Sequence, residues 1–506
     1  MRKTEIEEMM EQTRTEYMKE KFAFFGGMSL LYGLLYTLFF YQSKMGINNI
    51  LWVLSIIVIG SFLLKKTGIP KKKRTNIYLA GMILLGISSA LTTSMFFYVC
   101  NTIGILCLYI LFMIHQFYDK KVGGSLTYVK GFFVIAGNMF LSTFKPYSHT
   151  IAYFSGNTTA RKKKWTAGLI GVLLGIGILA VILPFLLNSD AVFSQMVGRL
   201  LKYVNIWDGI QIVFSVLFGF HICYTFFFSL CKNSEIRGKE TYRKKGNPVI
   251  GITSLTVIGI IYLLYVAIQI TYLFLGIEKG LPQGMTYAQY ARGGFWELLF
   301  VSTVNLFLVI IWSRFFEKHK VLSVLLALIS GCTFVMILSA GYRMLLYIQV
   351  YHLTFLRLFV MWFLVVLALI MGGVTIKIFR EKFPVFLYTT AVVSVCYLLF
   401  SFSRPDEIAA KYLVAQEKQL KEEDVYYLLR RPSLDGAEVL TQLDYERYSD
   451  RVKMDVFRYF SNISEKNKEM DIRSTNYMRN RTVKAANAFL EEHRDWKNLT
   501  EPYLDF

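Results

Sequence analysis

Eleven stretches of the chain are apolar for long enough to cross a bilayer, and short polar segments separate them. They are residues 22–41, 47–64, 77–93, 96–118, 165–187, 210–230, 252–275, 295–312, 321–340, 358–376 and 384–402. From Pro405 the pattern changes to charged and amphipathic, with no further spanning run. Asp406, Ser433 and Ser474 stand where N-caps belong, ahead of helical patterns over 407–421, 434–443 and 475–492, and a further pattern covers 445–461. Tyr426, Tyr427, Phe457, Tyr459, Phe460, Phe489 and Trp496 supply a core or a docking face there. The predicted fold is all-α: a polytopic transmembrane helix bundle of about eleven spans over 22–402, then a small all-helical domain over 403–506.

Other segments refine this picture. Residues 1–21 are no signal peptide, because Glu5, Glu7, Glu8 and Glu11 interrupt any apolar core, while Thr4 and Glu7 have capping-box spacing for a short helix. Residues 131–144 form a fourteen-residue apolar run between Lys130 and Lys145, too short to cross and suited to an interfacial or re-entrant helix. In the fifth run Gly171 and Gly175 stand in G-x-x-x-G register for close packing, and Pro184 should kink the helix. Three polar residues fall inside spans: His221, Gln269 and Asn305. Amides at such depth commonly bond across to a neighbouring helix.

Composition agrees with a membrane protein: 54% of residues are hydrophobic, 18% are charged, and mean hydropathy is +0.42. A net charge of +21 would suggest nucleic acid if it covered a soluble surface, but its distribution argues otherwise. Residues 1–402 hold 38 Lys/Arg against 15 Asp/Glu, and residues 403–506 hold 18 against 20. Of those 38 cations, 31 lie in the N-terminus and the loops 65–76, 119–164, 232–248, 313–320 and 377–383. This positive-inside asymmetry predicts a cytoplasmic N-terminus and an extracytoplasmic C-terminal domain, with membrane lipids, including anionic headgroups, as partners. The six cysteines lie within or beside spans at no metal-ligand spacing, so neither a metal nor a disulfide framework is expected.

Two polar stretches stand out. Residues 341–358 read GYRMLLYIQVYHLTFLRL, and as one helix they would bring Arg343 and Arg357 to within about 40° of each other. Residues 286–298 read TYAQYARGGFWEL and place Arg292 and Glu297 at the same outer level, with Glu297 expected to be buried and ion-paired among the arginines. Tyr287, Tyr290, Tyr347, Tyr351, Gln349 and His352 complete a cluster of hydroxyls, amides and cation–π faces. It reads as a structural clamp seating the outer domain, or as a site for an anionic ligand.

The segments YLFLGIEKGLPQGMTYAQYARGGFWELLFV and YRMLLYIQVYHLTFLRL resemble the bacterial multi-pass family of unknown function 4173, related to unknown-function family 4153. PFLLNSDAVF, SRPDEIAAKYLVA, SLDGAEVL and DWKNLT fit the same family, so the resemblance covers most of residues 75–500. The family pattern reads glycine after the tyrosine where this chain has His352. The resemblance implies a bacterial cytoplasmic-membrane location and a multi-span helical fold, and no established activity or catalytic residues.

Three function classes follow. Envelope sensing, scaffolding or regulation suits a helical outer domain tethered to a large bundle, with its output carried by a membrane or envelope protein partner. Transport, or binding of a polar or anionic small molecule or lipid headgroup at the outer face, suits the arginines and tyrosines, although no span carries a carboxylate near mid-membrane. A membrane-embedded enzyme would need HExxH, GxSxG or paired acids, and none occurs, although Asp190, Asp208, Glu297 and His352 all fall on the outer side. No cofactor motif is present.

Overall fold

The computed structural model describes residues 14–69, 71–117, 125–156, 206–232, 246–274, 294–416, 420–431, 433–468 and 471–498, and parts of 171–196. The chain is helical throughout these segments, and ten of the described helices are long and apolar enough to cross a membrane. They match ten of the eleven expected runs. Much of the remaining one, 165–187, and the predicted N-terminal capping box lie outside the described residues. The chain folds into two compact units, each with its own packing.

The first unit comprises residues up to Ala90, Asn101–Lys239 and the short tail segment Asp471–Thr475. Its spans are α1 (Phe22–Phe40), α2 (Ile47–Lys66), α3 (Asn76–Leu91), α4 (Met95–Phe117, from Asn101) and α7 (Ile206–Lys232), with α5 (Ser125–Leu141) and α6 (Lys145–Gly156) between them. The most extensive helix pair is α1 with α7. Gly33 and Gly219 let the backbones touch: a Cβ on Gly219 would lie 2.7 Å from the Gly33 Cα. Thr37 Oγ1 and Ser215 Oγ bond across the same crossing at 2.9 Å. Asn101 Nδ2 donates to Ser88 and Ser89 between α4 and α3.

Contacts within this unit establish which helix ends lie together. The Lys72 amide donates to the Gln116 side chain at 3.0 Å, so the α2–α3 loop and the end of α4 share one end of the bundle. Gln42, after α1, donates to Asp208 at 3.0 Å, so α7 begins at the opposite end. Phe117 and Ile206 therefore lie at opposite ends of this unit. The 131–144 run is the latter half of α5 and the turn after it, and Ser229 of α7 donates to the Ile135 carbonyl at 3.0 Å. Its outward residues Phe133, Phe140 and Phe144 are exposed.

The second unit holds Leu91–Cys100, Glu240–Met470 and Asn476–Phe506. Its spans are α8 (Pro248–Ile268), α9 (Phe295–Phe315), α10 (Lys320–Tyr351), α11 (Phe355–Phe379) and α12 (Val385–Phe402). Leu255, Val309, Leu326, Ile329, Ala340, Leu364 and Met371 form the core between them. Asn247 caps α8, with Pro248 in the first turn where its missing N–H costs nothing. A π-helical turn, Gln269–Phe274, follows α8 directly.

After Phe402 come α13 (Pro405–Val414), α14 (Glu422–Leu429), α15 (Ala437–Leu440), α16 (Asp450–Lys466) and α17 (Tyr477–Glu492). Their core is Leu413, Val425, Leu440, Val452, Phe460 and Phe489, with Tyr459 and Trp496 packed against it. Of the aromatic residues named from sequence, Tyr427 is instead exposed, and its ring lies under the Arg431 guanidinium at 4.8 Å.

The predicted caps are corrected. Asp406 lies inside the first turn of α13, whose cap is Arg404. Ser433 accepts the Asp435 amide without opening a helix. Asn476, not Ser474, caps α17, accepting the Met478 and Arg479 amides.

Candidate functional site

The 341–358 stretch is not one helix. α10 runs to Tyr351 and α11 starts at Phe355 with Thr354 as its cap, so Arg343 and Arg357 belong to different helices. His352 breaks the path with φ 63° and ψ 171°, a region that costs a side chain roughly 1–3 kcal/mol and is natural only to glycine. The backbone thus takes a glycine-type conformation here although histidine fills the position. Two interactions hold it: His352 Nδ1 pairs with Gln416 Oε1 at 2.9 Å, and the Arg357 guanidinium donates to the Tyr351 and His352 carbonyls. Arg357 thereby caps the last carbonyls of α10, and it stacks 4.5 Å from the Tyr347 ring centroid. His352→Gly is expected to raise thermal stability by about 1 kcal/mol, strain relief exceeding the lost hydrogen bond, while His352→Val lowers it by at least about 2 kcal/mol. Melting curves in detergent check both.

Arg343 makes a separate site. It is buried in α10 and donates to Gln269 Oε1 at 3.2 Å, and Ser339 Oγ donates to the same oxygen at 2.7 Å. Its Nη1 lies 3.8 Å from the position of a Cβ on Gly294, the residue with φ +73° that opens α9. The π-helical turn places Gln269 here by shifting the register after α8, a distortion often found at functional sites. Deeper in the same helix set, Asn305 accepts from Tyr262 at 2.8 Å and donates to Thr333 at 3.0 Å. Trp312 Nε1 donates to Ser254 at 3.1 Å, one end of a polar seam that runs along α8, α9 and α10 to Arg343. Gln269 and Asn305 are therefore the interhelical amides expected from sequence.

The remaining candidates scatter. Glu297 is exposed in the first turn of α9, so the expected buried carboxylate is overturned, and Gln349 is exposed as well. Placed near a helix N-terminus, Glu297 complements the dipole without needing burial. Tyr287, Tyr290 and Arg292 lie outside the described residues. His221 belongs to the first unit, half-buried and stacked on Tyr147 with ring centroids 5.7 Å apart. The buried histidine of that unit is His149 on α6, which bonds the Tyr224 hydroxyl at 2.8 Å and which the sequence reading passed over.

The most completely bonded polar site was also missed, because its parts lie more than 300 residues apart. Thr92 and Thr93 form the uncharged turn between α3 and α4. The Asp435 carboxylate accepts from both Thr92 Oγ1 and Thr93, whose amide and hydroxyl each lie 2.6 Å away. Thr93 Oγ1 in turn accepts the Leu434 amide at 2.8 Å, and Asn476 Nδ2 donates to the Thr92 carbonyl at 2.8 Å. Beside this seat Arg431 pairs with Asp406 at 3.0 Å, while Glu407 meets Arg404 and Lys411 at 3.1 and 2.8 Å. Burial pushes the Asp435 carboxyl above the usual carboxylate range against the Thr92 and Thr93 donors, and the neighbouring Asp406 pushes it the same way. Asp406 is raised too, burial outweighing Arg431.

A family profile described as a domain of unknown function, DUF4153, matches residues 79–443. The chain belongs to that family. The match runs from α3 through α15, so it contains both the Thr92–Thr93 turn and the Asp435 that bonds it. No curated relative and no solved structure matches the chain. As a DUF4153 protein it is a multi-span helical membrane protein.

Proposed function

We propose that this DUF4153 protein is an envelope sensing or scaffolding component whose helical C-terminal domain, on the extracytoplasmic side, is seated on the membrane bundle and relays its state to a membrane partner. The observation that carries this reading is the Asp435 seat. A buried carboxylate bonded to the Thr92–Thr93 turn ties the loop before α15 to a turn between two spans, the kind of fixed contact a relay needs. The motifs SRPDE and SLDG, which resemble the related bacterial family 4173, supply Asp406 and Asp435 to this seat.

A hydrogen-exchange comparison tests the relay. In Asp435→Ala, exchange is expected to rise together in the α3–α4 turn and in α13 to α17, with α9 to α11 unchanged. A rise confined to the residues next to position 435 would sink the reading. A reporter fused after Phe402 is expected to be active only on the external face, and cytoplasmic activity would reverse the orientation.

The polar seam from Ser254 through Asn305 to Arg343 favours a second reading, a binder or transporter of a polar or anionic solute. Solute flux into proteoliposomes that is lost in Arg343→Met would select it over the first.

A further inference from the structure

A cleft of about 630 Å³ opens in the C-terminal helical region between α14 and α16, with Arg430, Arg451 and Arg458 around Tyr426, Tyr459 and Asn462. Its acids are already engaged within the protein. Glu422 accepts the Ser449 amide at 3.0 Å. Asp455 lies 3.7 Å from Arg458 Nη1 on the same helix. Arg430 and Arg451, by contrast, have no ion-pair partner among the described residues. Arg430 caps the end of α14, and Arg451 sits in the first turn of α16, where the positive end of the helix disfavours a cation. The unmatched hydrogen-bonding capacity of the cleft is thus mostly donor: two guanidiniums, one at the end of α14 and one on α16, with the Asn462 amide and the Tyr459 phenol also in the lining.

We infer that this cleft binds a phosphate-bearing polyol, as a free sugar phosphate or as a phospholipid headgroup. A carboxylate has two oxygens in one plane and is satisfied by one bidentate arginine. A tetrahedral phosphate offers oxygens to two guanidiniums approaching from separate helices. The remaining lone pairs of Glu422 and Asp455 and the Asn462 amide suit hydroxyl groups, and the tyrosine rings give a sugar or glycerol moiety an apolar face. An adjoining cleft of about 390 Å³ shares Arg458 and Asn462 and adds Trp496 and Lys497, so a second hydroxylated ring has room beyond the first.

This inference rests on the reading of the C-terminal domain as the sensing part, and it names the class of signal. The full chain in phosphatidylcholine nanodiscs is titrated calorimetrically with glucose 6-phosphate and with glucose. Glucose 6-phosphate is expected to bind saturably and glucose not at all. Affinity should fall about tenfold in Arg430→Gln and in Arg451→Gln and about a hundredfold in the double variant. Repeating the titration in phosphatidylglycerol-containing discs separates the sources: unchanged binding assigns a free sugar phosphate, and abolished binding assigns the lipid headgroup. No saturable binding in either disc, equal binding of glucose, or an unaffected double variant would overturn the proposal. Limited chymotrypsin digestion of the double variant keeps the two ideas apart. Resistance equal to the unsubstituted chain shows the Asp435 seat intact, so lost binding then concerns the cleft alone.

Discussion

Asp435→Ala is expected to destabilise the protein by roughly 3–5 kcal/mol, because it leaves the buried Thr92 hydroxyl and the half-buried Thr93 hydroxyl and amide without their shared acceptor. At roughly 2 °C per kcal/mol this lowers the apparent melting temperature in detergent by about 6–10 °C. Asp435→Asn keeps the volume and one acceptor oxygen but turns an NH₂ group toward hydroxyl and amide donors, so an intermediate loss of about 1–3 kcal/mol is expected.

The pH dependence has a definite sign. The folded-state pKa of Asp435 lies above the ordinary aspartate value of 3.8, so the folded chain holds a proton that the unfolded chain has released. Its contribution therefore favours folding more as pH falls through the raised value, levels off below about 3.8, and weakens as pH rises. The rest of the chain is common to both proteins. The diagnostic quantity is thus the melting-temperature difference between the unsubstituted chain and Asp435→Asn, which should widen in favour of aspartate as pH falls. A difference constant across that window would show that the carboxyl titrates as an exposed one does.

The second large effect is at the α1–α7 crossing. A Cβ on Gly33 would fall on the Val216 carbonyl oxygen and within 3.0 Å of the Phe220 amide nitrogen, both backbone atoms that cannot move aside. Gly33→Ala is expected to cost about 2–4 kcal/mol by forcing the helices apart, which would also weaken the Thr37–Ser215 bond one turn away. Gly27→Ala in the same helix is the control. Nothing lies within 4 Å of its added Cβ, so alanine should be neutral or stabilising by about 0.5–1 kcal/mol. Equal melting temperatures for the two variants would mean that close backbone approach contributes nothing to this bundle. The G-x-x-x-G pair noted from sequence behaves differently, since no described atom lies within 4 Å of a Cβ on Gly171 or Gly175. Spacing within one helix says that a small face exists, but which small face meets a partner depends on the neighbour. Gly33 and Gly219 stand in no such motif and meet across 186 positions of chain.

The sequence by itself determined the spans, because an unpaired backbone polar group in hydrocarbon costs several kcal/mol and a helix of about twenty apolar residues is the local solution. It also determined that Gln269 and Asn305 would need partners, since a buried amide must be bonded wherever it lies. These are properties of a residue and its immediate neighbours. Only the tertiary structure decided which groups meet. Arg343 and Arg357 share a periodicity that holds only if the helix continues, and the His352 turn ends it. Glu297 has the composition of a buried acid site around it but sits on the outward face of α9. Asp435 and the Thr92–Thr93 turn each look ordinary in the chain, and they form the most completely bonded site because folding brings them together from 342 positions apart. Hydrophobic length and polar burial act locally and are written in local pattern, whereas partner choice is set by packing over the whole chain.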